Sequence, residues 1–467
     1  MKMRFMAALS CLLFSILDNQ SALASSSPTT EKFLSVADIH FNPFDGCKVS
    51  PKPCVLLNKL RAEDYHAWDR IFVHDGPSQF SKIGEDTNYP LFKSALAELE
   101  TVHKREHVRF GLVLGDFLAH EFRMRYAAYS HDASAAGYQA FVKKTLQFMT
   151  YKLHQTLPDI DVFPVVGNND SYTGDYSSVP HGAFYQETAK TWVDLIRYQK
   201  NKNNLLRDFP ISGYYAVTLS DAHSKRIILL NTVLFSQHST GSKVDTAARA
   251  ELSWLHEQLA SALKQKQQVI LACHIPMGID VYKTVKSKLG KIAEFWKPEF
   301  NRAFQQELND FAPIIVEMLP AHIHMDGFQF IFLKHSTDLA VNVTPSISPI
   351  FGNNPGFKVF SYHSENLKPY NFETYYLPLA TNNAIWQKEY NFNHVYQPTC
   401  QQCKLITGMR QLSATNSLVE FYKKYYALGN NAQPITNKNK WLPYYWCGIQ
   451  EITLRNYKSC MHSPDAS

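Results

Sequence analysis

The chain of 467 residues has no basic tract, no internal repeat and no low-complexity segment. Charged residues make up 19% of it, and the net charge of +6 is small for this length. Because proteins dedicated to nucleic acid usually concentrate basic residues, the composition argues against a nucleic-acid polymer as partner. A hydrophobic content of 45% is typical of a globular protein. The length predicts one large domain with an appended part.

Long apolar runs are also missing, apart from one near the N-terminus. A positively charged start precedes an apolar stretch over residues 5–16, which is too short to cross a bilayer. Ala22-Leu-Ala24 follows, with the small residues that a signal peptidase accepts. We therefore predict a signal peptide over residues 1–24 and an exported protein, secreted or periplasmic. A lipid anchor at Cys11 is the alternative, although the residues before it match a lipobox poorly.

Cysteine is scarce, with eight residues in the whole chain. Cys11 lies in the predicted signal peptide, and Cys273 lies in an apolar run that predicts a buried free thiol. The other six form local pairs: Cys47 with Cys54, Cys400 with Cys403, and Cys447 with Cys460. Export favours three disulfides, although connectivity does not follow from sequence. A zinc site built from the last four is the alternative.

Alternating strand and helix patterns up to Pro276, followed mostly by strands, predict an α/β sandwich of two sheets. Residues 41–88 lack periodicity and contain many turn-forming residues, so we predict a long surface excursion held by its cysteine pair. Leucine and alanine spacing predicts a helix over 91–103, and a further helix is predicted over 188–200.

The composition changes after about Leu379, which suggests a division into a catalytic domain over 25–379 and a helical C-terminal subdomain over 380–467. The tail is rich in aromatic residues: Phe421, Tyr422, Tyr425, Tyr426, Trp441, Tyr444, Tyr445 and Trp446. Aromatic residues at helical spacing usually form a packed core, which is the interpretation we favour. Cation–π binding of choline, or contact with a membrane surface, is the alternative.

Five of the predicted strands end in side chains that bind metals. These side chains are Asp38 and His40, Asp116, Asn168, His274, and His322 with His324. Residues two apart on an extended strand point to the same face, so each D-x-H or H-x-H pair can hold one ion. Each match alone arises by chance, but the full set in order is a specific signal. Seven mixed N/O ligands around one shared carboxylate suit two ions of zinc, manganese or iron.

The order D-x-H, G-D, G-N, H, H-x-H resembles that of the calcineurin-like metallophosphoesterases. Residues 344–362, which read TPSISPIFGNNPGFKVFSY, and the following Glu373-Thr-Tyr-Tyr-Leu377 are similar to the acid sphingomyelinase-like phosphodiesterases. The resemblance covers residues 33–377 well and the tail loosely. It implies an α/β/β/α metallophosphoesterase sandwich. It also implies a monomeric phosphodiesterase that acts on choline phospholipids or nucleotides, with peripheral membrane contact as an option.

The resemblance also assigns roles to individual residues. It implies a first ion held by Asp38, His40 and His324, a second held by Asn168, His274 and His322, and Asp116 bridging them. A hydroxide between the ions would attack phosphorus. His120, four residues after Asp116, matches one histidine that the family uses near the leaving group. The other histidine of the family directly follows the metal-binding Asn, and here that position is Asn169.

Asn169 therefore separates two hypotheses. Imidazole can donate a proton near neutral pH, whereas a carboxamide can only hydrogen-bond, for example to a phosphoryl oxygen. Loss of a general acid typically costs about 10²–10⁴-fold in rate when the leaving group is poor. We favour a working phosphodiesterase in which His120, or a nearby residue such as His181, supplies the proton. The alternative is a weakly active protein that binds metals and ligands. Ala321, where the family usually has Gly, is a smaller departure.

Overall fold

The computed structural model describes residues 29–462. Short gaps lie at 220–224, 288–289, 334–337, 382–383, 401, 413–416, 432, 434 and 436–438. The predicted signal peptide and Cys11 lie outside the described residues. Within the described ranges, none of the helices combines the length and the apolar composition that a membrane span requires.

Two six-stranded sheets form the centre of the fold. In chain order the strands are β1 (Thr30–Val36), β2 (Phe110–Val113), β3 (Asp161–Pro164), β4 (Tyr215–Thr218), β5 (Lys225–Leu229), β6 (Gln268–Ala272), β7 (Ile279–Asp280), β8 (Ala293–Glu294), β9 (Ile315–Leu319), β10 (Phe328–Phe332), β11 (Asp338–Asn342), β12 (Gly356–His363), β13 (Pro369–Tyr376) and β14 (Gln387–Asn391). The first sheet has the order β14-β13-β12-β1-β2-β3, and the second has the order β10-β11-β9-β6-β5-β4. Strands β1, β2 and β3 are parallel, as are β5, β6 and β9, so each sheet collects several carboxyl ends at one edge.

Helices surround the two sheets. In chain order they are α1 (Val55–Ala62), α2 (Trp68–Asp75), α3 (Tyr89–Glu106), α4 (Phe122–Ser130), α5 (Ala135–Thr156), α6 (Ala183–Trp192), α7 (Gln199–Ser212), α8 (Ser242–Lys264), α9 (Val281–Lys286), α10 (Pro298–Asp310), α11 (Phe392–Tyr396), α12 (Leu405–Met409), α13 (Leu418–Tyr426), α14 (Leu442–Gln450) and α15 (Leu454–Met461). Short 3-10 helices lie at Tyr65–Ala67, Val193–Leu195, Thr232–Phe235 and Asn439–Trp441.

The sheets pack face to face, as alternation along β5 shows. Ile227 belongs to the same buried cluster as Phe33 of the first sheet. Its neighbour Ile228 points the other way and packs with Leu255 of α8 and Phe304 of α10. The second sheet therefore lies between the first sheet and a helical layer, as period-2 alternation requires. The predicted two-sheet α/β sandwich is confirmed.

Two of the predicted elements need correction. Residues 41–88 are not only a surface excursion, because they contain α1 and α2 and bury side chains such as Leu57 and Trp68 completely. The helix predicted over 188–200 is divided between α6 and α7. The backbone becomes extended at Ile196 (φ −109°, ψ 130°), which ends one helix before the next begins.

The predicted disulfides are confirmed. Bonds join Cys47 to Cys54, Cys400 to Cys403, and Cys447 to Cys460, while Cys273 is a buried free thiol. The alternative zinc site is therefore wrong, since its four cysteines are paired with one another.

The C-terminal tail is closely joined to the sheets. Strand β14 lies beyond residue 380 and pairs with β13 of the first sheet, and α14 packs against β10 of the second. Tyr422, Tyr425 and Tyr426 are buried in the main core, as the packed-core interpretation predicts. The division of the chain at residue 380 stays a prediction, with β14 as an element that both parts share.

Candidate metal centre

The predicted ligands come from the carboxyl ends of five strands. Asp38 and His40 follow β1, Asp116 follows β2, Asn168 follows β3, His274 follows β6, and His322 and His324 follow β9. Each apolar strand is buried in its sheet, and its polar continuation emerges at the edge where the carboxyl ends meet. The structure brings all seven side chains to one place, where the two sheets face each other.

Ligand atoms from the two sheets approach closely. His40 Nε2 lies 3.1 Å from His324 Nε2, and His274 Nε2 lies 3.1 Å from Asn168 Oδ1. Asp116 Oδ2 lies 3.4 Å from His40 Nε2 and 3.2 Å from His274 Nε2. Ligands about 2.0–2.2 Å from a common ion stand roughly 3 Å apart, so these separations suit metal coordination.

The ligand atoms fall into two groups that share one residue. Asp38, His40 and Asp116 have ligand atoms within 4.8 Å of one another, and so do Asp116, His274 and His322. Asp116 belongs to both groups, which is the position of a bridging ligand. His120 also lies within this distance of His40 and His324, so it stands beside the first group.

Hydrogen bonds orient the histidines toward the centre. His40 Nδ1 is 3.0 Å from the carbonyl oxygen of Leu118, and His274 Nδ1 is 2.7 Å from that of Leu114. Because Nδ1 donates to a carbonyl, the lone pair of Nε2 is available to a metal. Asp38 Oδ1 is buried and accepts no hydrogen bond from any of the described residues, an arrangement that costs free energy unless a cation binds there. The donor set therefore fits divalent metal ions.

The backbone at the centre is strained. Positive φ angles occur at Asp38 (47°), His40 (44°), Asp116 (54°), His322 (71°) and His324 (64°). Non-glycine residues rarely adopt this region, and each costs about 1–3 kcal/mol, so such strain concentrates at functional sites.

Two glycines make the close approach of these loops possible. Gly115 has φ of +88°, and a Cβ there would lie 2.8 Å from His274 Nδ1. A Cβ at Gly167 would lie 2.1 Å from the backbone nitrogen of Asp116. The glycines of G-D and G-N are therefore required sterically. Ala321, in contrast, is not among the residues with positive φ, which explains why alanine is tolerated there.

The charges at the centre interact strongly. Burial opposes protonation of His40 and of His274, but the Asp116 carboxylate prevails and raises the pKa of each to about 9. Burial disfavours the ionised form of Asp116, yet the two histidines hold its pKa well below the usual range. Burial and the neighbouring His274 lower the pKa of His322 to about 3, so this imidazole is neutral. A carboxylate that attracts protons onto two neighbouring imidazoles would equally attract a metal cation in place of those protons.

A loop between β11 and β12 fixes the metal-binding loops to one another. Ser346 Oγ donates to the carbonyl oxygen of Asp38 at 2.8 Å, and the Ser346 backbone N–H donates to that of His324 at 3.2 Å. The Ser348 backbone N–H donates to Asp38 O at 3.1 Å. The TPSISP stretch therefore connects the D-x-H loop of one sheet to the H-x-H loop of the other.

A cavity of about 390 Å³ opens beside the centre. Asp116, His120 and Asn168 of the centre are among its lining residues. Aromatic side chains of the tail, namely Tyr422, Tyr426 and Tyr445, also line it, together with Lys283 and Lys286 of α9. The tail aromatics are thus core residues that also form part of a cavity wall.

A model of the calcineurin-like phosphoesterase family matches residues 31–326, well over half of the chain. The chain belongs to the calcineurin-like phosphoesterases. Members of this family are hydrolases, and the arrangement of carboxylates and imidazoles agrees with the divalent metals that a metallophosphoesterase uses.

Individual relatives agree with the sphingomyelinase-like branch of this phosphoesterase family. The cyclic GMP-AMP phosphodiesterase SMPDL3A of Bos taurus is 23% identical over 453 residues, covering 94% of this chain and 92% of that protein. Sphingomyelinase phosphodiesterase D of Dictyostelium discoideum is 24% identical over 425 residues, covering 86% and 90%. A solved dimetal phosphatase from Danio rerio aligns with a TM-score of 0.38 at 13% identity, covering 74% of this chain and 96% of that one.

The two residues predicted to act near the leaving group of this phosphoesterase lie in different environments. His120 is partly exposed and lines the cavity, with Nδ1 at 2.8 Å from Asp86 Oδ1. Asn169 is only 5% exposed and is hydrogen-bonded to Asp116. His181, considered as a substitute proton donor, is exposed and does not line the cavity.

Three acidic residues at the site were not predicted from the sequence. Asp86 pairs with His120, and Asp175 Oδ1 accepts a hydrogen bond from Asn168 Nδ2 at 2.7 Å. Asp170 accepts three backbone hydrogen bonds, from Gly167, Phe117 and Leu118. Asp170 lies two residues after the predicted ligand Asn168, so its place beside the G-N motif could have identified it. Asp86 and Asp175 lie at sequence distances that no motif marks.

Proposed function

We propose that this phosphoesterase hydrolyses phosphodiesters with two divalent metal ions. The observation that carries the proposal is the position of Asp116 Oδ2, which lies 3.4 Å from His40 Nε2 and 3.2 Å from His274 Nε2. A carboxylate oxygen flanked by two separate ligand groups is suited to bridging two ions.

The predicted ligands divide between two ions, with Asp116 shared. Asp38, His40 and His324 would hold the first ion, Asn168, His274 and His322 the second, and Asp116 both. Bound divalent ions activate water near neutral pH and offset the charge that develops on a transferring phosphoryl group. We infer zinc, with manganese and iron as alternatives, because imidazoles dominate a mixed N/O ligand set.

The protein itself supplies the proton and the binding surface. His120 lines the cavity with Nδ1 bound to Asp86, so its Nε2 can donate a proton to a leaving oxygen. The tyrosines and the lysines Lys283 and Lys286 favour an anionic substrate with a planar group. Among the two substrate classes suggested by the relatives' names, this favours a nucleotide over a choline phospholipid. We further infer an exported protein, which the disulfides support.

The test combines metal analysis with kinetics. Metal content is measured on the wild type and on Asp116→Asn. Hydrolysis of bis(p-nitrophenyl) phosphate, p-nitrophenyl phosphate and p-nitrophenyl phosphorylcholine is then followed for both proteins. We expect close to two metals per wild-type chain, diester turnover in the wild type, and loss of turnover in the variant.

Asp310→Asn is the matched control, since Asp310 is an exposed carboxylate at the end of α10. It should retain both metals and full activity. Two metals without turnover of these activated esters would indicate a binding protein instead. Absence of bound metal in the wild type would overturn the proposal.

A further inference from the structure

Asn169 directly follows the predicted ligand Asn168, yet it does not line the cavity. The residue is only 5% exposed and is absent from the cavity lining, to which Asn168 and His120 both belong. A substrate in the cavity would therefore meet His120 and not the Asn169 amide.

The amide instead binds the carboxylate between the two ligand groups. The backbone N–H of Asn169 donates to Asp116 Oδ1 at 2.8 Å, and Nδ2 donates to Asp116 Oδ2 at 2.9 Å. Oδ2 is the oxygen that also approaches His40 Nε2 and His274 Nε2. One residue thus holds both oxygens of the shared carboxylate.

We propose that Asn169 is a positioning residue for Asp116 and takes no part in proton transfer. A carboxylate shared by two ions must present its oxygens in a fixed plane, and hydrogen-bond donors behind a ligand hold it in that plane. The two donors of Asn169 meet this need, and an amide keeps them at every pH of interest because it does not titrate. This inference rests on the proposed two-metal function.

The amide at position 169 restricts which leaving groups the site can release. Since an amide cannot protonate a departing oxygen, no proton comes from position 169. Leaving groups that depart as stable anions, such as the phosphate of a phosphoanhydride or an acidic phenol, need none. Diesters with alkoxide leaving groups depend wholly on a proton from another residue of the cavity wall.

The test is Asn169→Ala, which removes the side-chain donor and keeps the backbone N–H. Zinc binding to metal-free protein is measured by competition with a chelating dye, and hydrolysis of bis(p-nitrophenyl) phosphate is measured on the loaded enzyme. We expect zinc affinity to fall about 10- to 100-fold. The value of kcat should fall while KM stays near that of the wild type, because Asn169 does not line the cavity.

Asn201→Ala is the matched control. Asn201 is also fully buried, and its amide bonds both backbone groups of Thr218 away from the centre. It should lower thermal stability without changing zinc affinity or kcat. If circular dichroism shows that Asn169→Ala is unfolded, Asn169→Ser is measured in the same way.

Wild-type zinc affinity and kcat in folded Asn169→Ala would overturn the positioning role and leave the two-metal function intact. A raised KM with unchanged zinc affinity would also overturn it, since the residue would then contact the substrate. Failure of the wild type to bind zinc, manganese or iron would instead refute the function on which the inference rests.

Discussion

The carboxylate of Asp86 controls how His120 is presented to the cavity. Its side chain is fully buried, and Oδ1 lies 2.8 Å from His120 Nδ1. Oδ2 accepts the His120 backbone N–H at 3.2 Å and lies 3.1 Å from Arg125 Nη1. The ring of His120 stacks on that of His40, with centroids 4.1 Å apart. Asp86 thereby fixes both the tautomer and the orientation of His120, a cavity histidine that is not one of the predicted metal ligands.

We predict that Asp86→Asn lowers kcat for bis(p-nitrophenyl) phosphate by roughly tenfold or more. The Asp86 carboxylate accepts the Nδ1 proton and stabilises the positively charged, proton-donating form of the ring, which a neutral amide does much less. General acid assistance contributes about 10²–10⁴-fold in rate. Bound metal and KM should change little. The measurement is steady-state kinetics with metal analysis on the same samples.

Glu121→Gln is a suitable control for Asp86→Asn. The Glu121 side chain is 61% exposed, and its Oε2 lies 3.9 Å from Nε of the same arginine, Arg125, which is a weak contact. It should retain the wild-type kcat. Equal rates in wild type and Asp86→Asn would show that Asp86 does not orient the proton donor.

The predicted ligands could be identified from sequence because each directly follows an apolar strand, and strand order fixes which ends meet. Asp86 could not be identified in this way, since it lies in the segment 41–88, far from His120 in sequence, and only the tertiary structure brings the two residues together. The function of Asn169 was left open for a related reason. Sequence shows that an amide replaces a histidine, but only the structure shows that this amide binds Asp116.

Helix α8 places an unusual acid against the second sheet. Glu251 is fully buried, and its Oε1 accepts the Asn231 backbone N–H at 2.7 Å, while Oε2 has no hydrogen-bond partner among the described residues. Burial raises the pKa of Glu251 to about 8. The folded protein therefore keeps this side chain protonated at neutral pH.

We predict that Glu251 makes the protein less stable as pH rises. Below about pH 4.5 the acid is protonated in both states and costs nothing. Between that pH and about 8, the unfolded chain loses the proton and the folded chain keeps it, so the free energy of unfolding falls by roughly 2–5 kcal/mol and then levels off. Glu251→Gln should make the pH dependence shallower by this amount, as measured by urea unfolding of metal-free protein from pH 5 to 9. The part that the raised pKa values of His40 and His274 contribute should remain.

The exposed Glu257 on the same helix provides the control, because Glu257→Gln should leave the slope unchanged. A wild-type slope in Glu251→Gln would assign the pH dependence to other groups.

At the scale of elements, the longest and most periodic segments were predicted best. The helix expected over 91–103 corresponds to α3, which spans 18 residues. Helices α1 and α2 were missed because each spans only eight residues, too few for a periodic pattern to stand out. Strand β14 was missed because its sequence QKEYN has no apolar alternation and its pairing with β13 is set by tertiary contacts.

At the scale of the whole molecule, the important feature is that the two sheets and the C-terminal tail both contribute residues to the cavity wall. Asp116 and Asn168, which follow strands of the first sheet, line the cavity, and α14 of the tail lines it through Tyr445, Gly448 and Ile449. The Cys447–Cys460 disulfide joins α14 to α15, and Cys447 packs with Ile279 and Tyr457 in a small separate cluster. The tail can therefore affect substrate binding without contacting the metal ligands.

We predict that the double variant Cys447→Ala with Cys460→Ala weakens binding of bulky diesters and leaves the chemistry intact. The bond closes a loop with a sequence separation of 13, and loops of about this length contribute roughly 3 kcal/mol to stability. Thermal unfolding should occur at a lower temperature. The KM for a dinucleotide diester should rise several-fold as the tail wall loosens, while metal content and kcat for bis(p-nitrophenyl) phosphate stay near wild type.

Cys400→Ala with Cys403→Ala is the matched control, because that bond spans a separation of only 3 and its residues do not line the cavity. If both double variants raised KM equally, the effect would come from general destabilisation. If neither did, the tail would be a structural appendage whose tyrosines do not contact the substrate.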